Sequence, residues 1–380
     1  MRISCLQDNL ARGLNIVGRA VAPRTATLPV LTHVLIASDN GRLKIAATNL
    51  ELGVTCWIGA KVETEGAITV PARTLADLVA LLPPTQVELE LNSRTQSLRV
   101  QAGKTDANIK GIDAQEFPII PAFNPGGAAF VEPDILKKLI AQVAFAAATD
   151  ESRPSLVGVQ TKLDGDTISM AATDGFRLSV RSGKLKEPVG EARAIIIPAK
   201  ALAEVARVIG DQKDPVAISV TPSHGQVLFH LANVDVVAQL IDQRFPDYDP
   251  IIPKKHDTRT VVNTADLLKA CRQAGIFARD SLDTVRMSIK PGEDVDPGKL
   301  KITARADETG DNQSDLEASV NGSEIDIGFN VKYLIDALGA IDTPQVSIET
   351  TQPQRPVVFH AIGDDAFMHL IMPMHLPRSA

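Results

Sequence analysis

LKIAAT at 43–48 returns as ISMAAT at 168–173 and again as LKITAR at 300–305. The steps, 125 and 132 residues, are too long for a solenoid and suit a duplicated domain. Other columns keep the same order. PVL at 29–31 returns as PSL at 154–156. TVPARTLADLVALLP at 69–83 returns as IIPAKALAEVARVIG at 196–210 and, more faintly, as IGFNVKYLIDALGAI at 327–341. SLRVQAG at 97–103, QVLFHLA at 226–232 and PVVFHAI at 356–362 make a further column. FPIIP at 117–121 closes the first copy, FPDYDPIIP at 245–253 the second and IMPMHL the third. The Pro/Gly-rich PAFNPGG at 121–127 separates the first two copies, and PKKHD at 253–257 opens the third. These marks predict three domains, 1–126, 127–253 and 254–380. The insert KPGEDVDPG at 290–298 explains part of the longer second step.

Each copy predicts two helices and about eight short strands. Leu10, Leu14, Val17 and Val21 follow helical spacing. Their counterparts run over about 133–147, with Leu136, Leu139, Ile140 and Val143, and about 265–279, with Leu267, Leu268 and Cys271. Asp134 and Asp266 sit where caps or first-turn acids belong. Pro71 and Pro198 open a second helix. Its apolar face is Leu75, Leu78, Val79 and Leu82 in the first copy, and Leu202, Val205 and Ile209 in the second. QVELELN at 86–92 alternates as a strand does. Two helices must then cover one face of the antiparallel sheets, an α+β domain used three times.

Net charge is −7, which argues against a protein that grips a polyanion over its whole surface. Charge can still be segregated. The early helices carry Arg12, Arg19, Lys137, Lys138, Lys269, Arg272 and Arg279, with no acid after the first turn until Asp280. Arg24 and Arg153 lie in the connection that follows. The second helices add Arg73, Lys200, Arg207 and Lys332, balanced by Asp77, Glu204 and Asp336. A solvated helix face would look the same in one copy. The same bias in three copies points to a shared surface facing a polyanion, held by non-specific phosphate contacts of modest, salt-sensitive affinity.

Little in the sequence suggests chemistry. Cys5, Cys56 and Cys271 are far apart and read as small core residues of a reducing compartment. The start, MRISCLQDNLARGL, has no signal-peptide stretch, and no run approaches a membrane span, so a cytoplasmic location is expected. The seven histidines form no HExxH or Cys/His pattern; His230 and His360 are repeat equivalents, which favours a structural role. GEDVDPG at 292–298 lacks the closing Glu of a calcium loop and reads as a hairpin turn. There is no phosphate-binding GxxxxGK loop and no carboxylate cluster for a two-metal site. No cofactor and no metal are expected. The competing reading is an enzyme of unknown chemistry on a triplicated domain, motivated by the His-bearing strands and the junction grooves such a chain would have.

TLPVL at 27–31, TVPAR at 69–73, DESRPSLVGV at 150–159, AATDGFRLSV at 171–180, QRFPDY at 243–248, IGFNVKYL at 327–334 and MPMHL at 372–376 resemble hallmark stretches of the bacterial DNA polymerase III beta subunit, the sliding-clamp family. The likeness runs in order through all three copies. It implies a non-catalytic processivity factor: a head-to-tail homodimer closing a ring of six similar domains, with helices lining a hole that holds duplex DNA by topology. The cations named above would face that DNA. The resemblance places the dimer interface at TDANIKGI (105–112), with Ala107 and Ile109, against the helix end at Ile276 and Phe277. A larger apolar residue is common at the Ala107 position. The resemblance also implies a peptide groove between the second and third domains, which takes a Gln-Leu-x-Leu-Phe-like segment. Its partners would be the polymerase catalytic subunit, the clamp loader, other polymerases and repair proteins. By matching positions the groove takes Leu156, Thr173, Gly175, Phe176, Arg177, Leu178, Pro246 and Ile251. It also takes Pro356, Met372, Pro373, Met374, His375 and Leu376. Methionine and leucine suit such an adaptable slot. Phe176 stands where His is common and His375 where Arg is common, and the tail Pro377–Ala380 extends past the usual end, where it would crowd the groove.

Overall fold

The computed structural model describes residues 1–223, 225–293, 297–306 and 308–376, the side chain of Asp280 excepted. The tail Pro377–Ala380 and the centre of the expected hairpin at 292–298 lie outside the described residues.

The first copy holds β1 (Arg2–Leu6), α1 (Gln7–Val17), β2 (His33–Asp39), β3 (Arg42–Thr48), β4 (Leu52–Gly59), β5 (Lys61–Thr64), β6 (Ala67–Pro71), α2 (Ala72–Leu81), β7 (Gln86–Asn92), β8 (Ser97–Ala102), β9 (Thr105–Lys110) and β10 (Ile112–Asp113). The second holds β11 (Ala129–Val131), α3 (Pro133–Val143), β12 (Gly158–Asp164), β13 (Thr167–Thr173), β14 (Arg177–Lys184), β15 (Arg193–Pro198), α4 (Ala199–Ile209), β16 (Val216–Val220), β17 (Gln226–His230) and β18 (Val234–Gln239). The third holds β19 (Thr258–Asn263), α5 (Thr264–Ala278), β20 (Thr284–Lys290), β21 (Gly298–Ala306), β22 (Gly310–Asn321), β23 (Ile325–Asn330), α6 (Val331–Ala340), β24 (Gln345–Thr350), β25 (Val357–Ala361) and β26 (Asp364–Ile371).

The expected helices all form, with shifted ends. The helix carrying Leu10, Leu14 and Val17 stops there; Gly18–Ala20 is a single tighter turn and Val21 is already extended. Pro23 then keeps the residue before it, Ala22, away from helix, so the chain does not resume one. Leu82 leaves α2 in the same way, ahead of Pro83. Asp134 and Asp266 are first-turn acids, and the α5 cap is Asn263, whose side chain accepts from the Asp266 amide at 3.0 Å.

The contacts divide the chain into two compact units. One (1–136, 185–190 and 200–240) contains a five-stranded sheet, β5-β1-β7-β8-β9, and a nine-stranded one, β10-β6-β2-β3-β4-β18-β17-β16-β11. The other (137–184, 191–199 and 241–380) contains a twelve-stranded sheet, β15-β12-β13-β14-β26-β25-β24-β19-β22-β21-β20-β23. In the first unit Leu10, Leu14 and Val17 of α1 are buried, and Gly13 makes the close approach possible: a Cβ there would stand 2.8 Å from Ile45 Cδ1 on β3. In the second unit Leu267, Cys271 and Ala274 of α5 share one core with Leu334 and Leu338 of α6 and with Met287, Ile302 and Phe359 of the strands. Burying a leucine of this kind contributes roughly 2 kcal/mol of apolar transfer.

The repeat columns fix which strands correspond. LKIAAT, ISMAAT and LKITAR lie in β3, β13 and β21, so the strands after them, β4, β14 and β22, are equivalent. SLRVQAG, QVLFHLA and PVVFHAI lie in or begin at β8, β17 and β25, so β9, β18 and β26 are equivalent too. In the first unit β18 pairs antiparallel with β4, and in the second β26 pairs with β14. The remaining members of the two sets, β9 and the 310–318 part of β22, each pair on one side only, with β8 and β21.

Candidate functional site

The turn between β13 and β14 is built by two side chains. The Thr173 hydroxyl donates to the Arg177 carbonyl at 2.6 Å and accepts from the Gly175 amide at 3.0 Å. Asp174 accepts from the amides of Phe176 and Arg177 at 2.9 and 3.0 Å. Gly175 sits at φ +94°, the left-handed region where a side chain is costly. This closed scaffold throws Phe176 outward, 58% exposed, and aims its carbonyl at the Met372 amide, 2.8 Å away. Arg153 braces the turn from the other side by donating to the Asp174 carbonyl at 2.8 Å.

Beside this turn the last described residues lie against β23. The Met374 amide donates to the Gly328 carbonyl at 2.8 Å, and a Cβ on Gly328 would collide with the Met374 carbonyl at 2.6 Å. Two cavities open here, of about 520 and 320 Å³. Ile251, Pro356 and Met372 line the larger, together with Ile252 and Arg355. Pro373, Met374, His375 and Leu376 line the smaller, with Asp326. Leu178 is buried in an apolar cluster with Val358 and Leu370, against which Ile252 and Met372 pack. Leu156, Thr173, Gly175, Phe176 and Pro246 belong to the same unit but line neither cavity.

Arg177 is not an open groove wall. Its side chain is 10% exposed and donates to Asp174 (3.1 Å), Asp336 (2.6 Å) and the Phe145 carbonyl (2.9 Å), with Tyr333 stacked 4.5 Å from it. Burial raises the Tyr333 hydroxyl's pKa. Next along β14, Ser179 meets His369 Nδ1 at 2.6 Å. Burial, helped by the Arg177 charge, pulls His369 down to about 3, so the ring is neutral at pH 7. Arg181 follows, bound to Asp364 at 2.9 Å and to Gln142. Lys138 joins Asp364 (3.0 Å) and Asp342 (2.8 Å). Burial would push the Asp364 carboxyl up, but Arg181 and Lys138 together hold it below the usual carboxylate range. The Asp342 carboxylate raises Lys138 in turn. None of this network was legible in the sequence, since it depends on strand register between residues nearly two hundred apart.

The other cations divide by partner. In the first unit Arg73 faces Asp77 at 3.6 Å, and Arg207 is tied to Glu204 at 2.7 Å and to the Ile16 carbonyl. Arg12 bonds only the neutral Asn9, and Arg19 and Arg24 are exposed with no ion pair among the described residues. Lys200 is exposed on α4. In the second unit Lys332 is paired with Asp283 at 2.6 Å and Lys137 is half-buried. Lys269, Arg272 and Arg279 stand exposed on and just after α5, without an ion pair among the described residues.

Ala107 and Ile109 lie on the edge strand β9, the first half-buried and the second buried. Ile276 is 60% exposed on α5, and Phe277 packs on the core. Sequence reasoning passed over β22, although its place after LKITAR marks it as the third member of the β4 and β14 set. Its outward residues include Asp311, Gln313, Asp315 and Glu317. Among the described residues no group of three or more His, Cys, Asp or Glu could hold a metal ion, and no helix is long and apolar enough to cross a membrane. All three cysteines are free and buried, and burial raises the thiols to about 12, 11 and 12 for Cys5, Cys56 and Cys271.

Against this geometry the likeness to known proteins is extensive. Residues 1–121, 130–247 and 249–375 match the family models for the N-terminal, central and C-terminal domains of the DNA polymerase III beta subunit. The chain is 31% identical to the beta sliding clamp of Bacillus subtilis over 98% of its own length and 99% of that protein's. The crystal structure of the Bacillus subtilis DNA polymerase sliding clamp superposes with a TM-score of 0.93 at 30% identity, covering 99% of this chain and 100% of that one. The Pseudomonas aeruginosa sliding clamp crystallised with griselimycin bound is 28% identical, with a TM-score of 0.90 over 99% of this chain and 100% of that one.

Proposed function

Because the chain belongs to the DNA polymerase III beta subunit family, we propose that it works as a sliding clamp, a non-catalytic processivity factor acting in the cytoplasm. Two copies join head to tail, enclose duplex DNA, and tether the replicative polymerase and other partners through the groove of the second unit. The three domains are 1–126, 127–253 and 254–380.

The observation that carries the assembly is the pair of unused strand edges. Equivalent strands pair twice within the chain, β4 with β18 and β14 with β26. The third combination would join β22 to β9, and β9 and the 310–318 part of β22 each have one free side. A free edge invites pairing with another chain. Pairing β9 of one copy with β22 of its partner satisfies both of these edges at each of two contacts, a heterologous contact that closes. Ala107 and Ile109 on β9 then meet the partner near its Ile276 and Phe277. The exposed cations without an ion pair among the described residues, Arg12, Arg19, Arg24, Lys269, Arg272 and Arg279, supply the DNA-facing surface, with Lys137 and Lys200 as further contributors. Arg73, Lys138, Arg153, Arg207 and Lys332 carry carboxylate partners and contribute less. An overall charge of −7 with local cationic helices suits sliding rather than sticking.

The test is retention. Protein loaded on nicked circular DNA should persist through a high-salt wash and should leave once the circle is cut open. Equal persistence on cut and uncut DNA sinks the topological mechanism. The solution mass should be twice that of one chain, and Met372→Asp should abolish binding of a Gln-Leu-Ser-Leu-Phe peptide without changing that mass.

A further inference from the structure

The two lobes of the groove carry opposite charges. Arg355 is the one charged side chain lining the larger cavity, otherwise walled by apolar residues such as Ile251, Pro356 and Met372 and by neutral polar ones. Among the described residues Asp326 is the one acidic or permanently charged side chain lining the smaller, beside Met374 and His375. Gln354 borders both, so the lobes adjoin. Arg355 and Asp326 are exposed, and among the described residues neither forms an ion pair. Lys290, which feels the Asp326 charge, is held by Glu324 at 2.8 Å.

Two adjoining lobes, one lined by a cation and the other by an anion with no ion pair among the described residues, give the slot a direction. Apolar side chains in the slot gain the same free energy in either sense. Charged neighbours do not: a peptide with its acid toward Arg355 and its base toward Asp326 gains at both ends, and the reversed peptide loses at both. We propose that Arg355 and Asp326 are specificity-determining residues of the groove. They select short extended peptides whose apolar anchors are flanked by an acidic residue on one side and a basic residue on the other. The proposal rests on reading the groove as a peptide site. Both charges meet solvent, so each contact is worth about two- to fivefold in Kd at low salt and fades as salt rises.

Three labelled peptides test it on the full-length protein by fluorescence anisotropy. All share the core Gln-Leu-Ser-Leu-Phe; one carries Glu before and Lys after, one the reverse, and one Gln at both ends. The two charged isomers should differ by more than about tenfold at low salt, with the neutral peptide between them. Arg355→Gln and Asp326→Asn should each shrink that ratio, and the double variant should bring it to one. Isomers that bind alike while the neutral peptide binds normally would overturn the charge selection and leave the groove intact, as would a ratio that survives the double variant. A neutral peptide that fails to bind, or binds Met372→Asp equally well, would remove the groove itself and the proposal with it.

Discussion

The chain makes the same strand junction twice, once in each unit, from equivalent parts. At the first, Val54 of β4 stands opposite Val236 of β18; at the second, Ser179 of β14 stands opposite His369 of β26. The turns leading into them are copies. Thr48 and Asn49 make the same four hydrogen bonds as Thr173 and Asp174, and the Glu51 carbonyl accepts from Gln239 as that of Phe176 does from Met372. What sits on the scaffold differs. Where Arg177 and Leu178 stand in the second, the first has Leu52 and Gly53, with Ile120 over Gly53, and its one buried acid, Asp235 opposite Thr55, pairs with His230 of β17 rather than across the junction. The second carries its charge pairs across the strands, and open cavities lie beside it. Apolar strands seal by filling the space between them. Strands held by directed charge pairs can stay joined while Ile252 and Met372 remain available around a slot.

That contrast can be broken most sharply at Arg177. Replacing it with alanine takes the guanidinium from Asp174, itself 12% exposed, and should cost about 4 kcal/mol by urea denaturation, because a broken buried ion pair leaves its partner uncompensated. Arg177→Met should recover part of this, and Leu52→Ala at the first junction should cost only about 1 kcal/mol. Equal losses at the two sites would erase the distinction.

His369 gives the next largest effect. Its folded pKa, about 3, lies below the ordinary 6.5, so the unfolded chain takes up the proton first as pH falls. Stability from this group is full above about 6.5 and declines by about 1.4 kcal/mol per pH unit below it, roughly 3 kcal/mol by pH 4. His33, also lowered by burial, adds to the slope from the first unit. The difference between wild type and a Ser179→Val, His369→Val double variant isolates the His369 part; an unchanged slope would refute it.

The smallest effect tests the seal. Gly53→Leu puts a side chain where its Cβ alone would be 3.3 Å from Ile120, and should cost about 2 kcal/mol through overpacking. Adding Ile120→Ala should return much of that loss. Independent, additive costs in a double-mutant cycle would mean that the two residues do not share the space.

The repeat columns made the helices and strand order readable, because periodicity and turn residues are local signals. They also carried the junction strands, once β4, β14 and β22 are aligned. Side-chain pairing across those junctions was out of reach. Nothing near Ser179 in sequence points to His369, and Arg177, which the resemblance put in the groove, spends its guanidinium on the junction. Lys138 likewise read as one more helix cation, yet its partners Asp342 and Asp364 come from loops and strands far along the chain.

Leu50 shows how such a turn is inherited. It holds φ +77° in the place of Gly175, a conformation a leucine avoids, and half its surface faces water. The hydroxyl and amide of Thr48 and Asn49 therefore dictate the backbone, and glycine is a convenience rather than a requirement. In the third copy, where the 310–318 part of β22 pairs only with β21 among the described residues, Arg305 and Ala306 occupy those two positions. A threonine followed by Asn or Asp after this strand thus works as a molecular latch plate, and a distant relative's chain could be scanned for it to tell which of its seams close at home and which wait for a visitor.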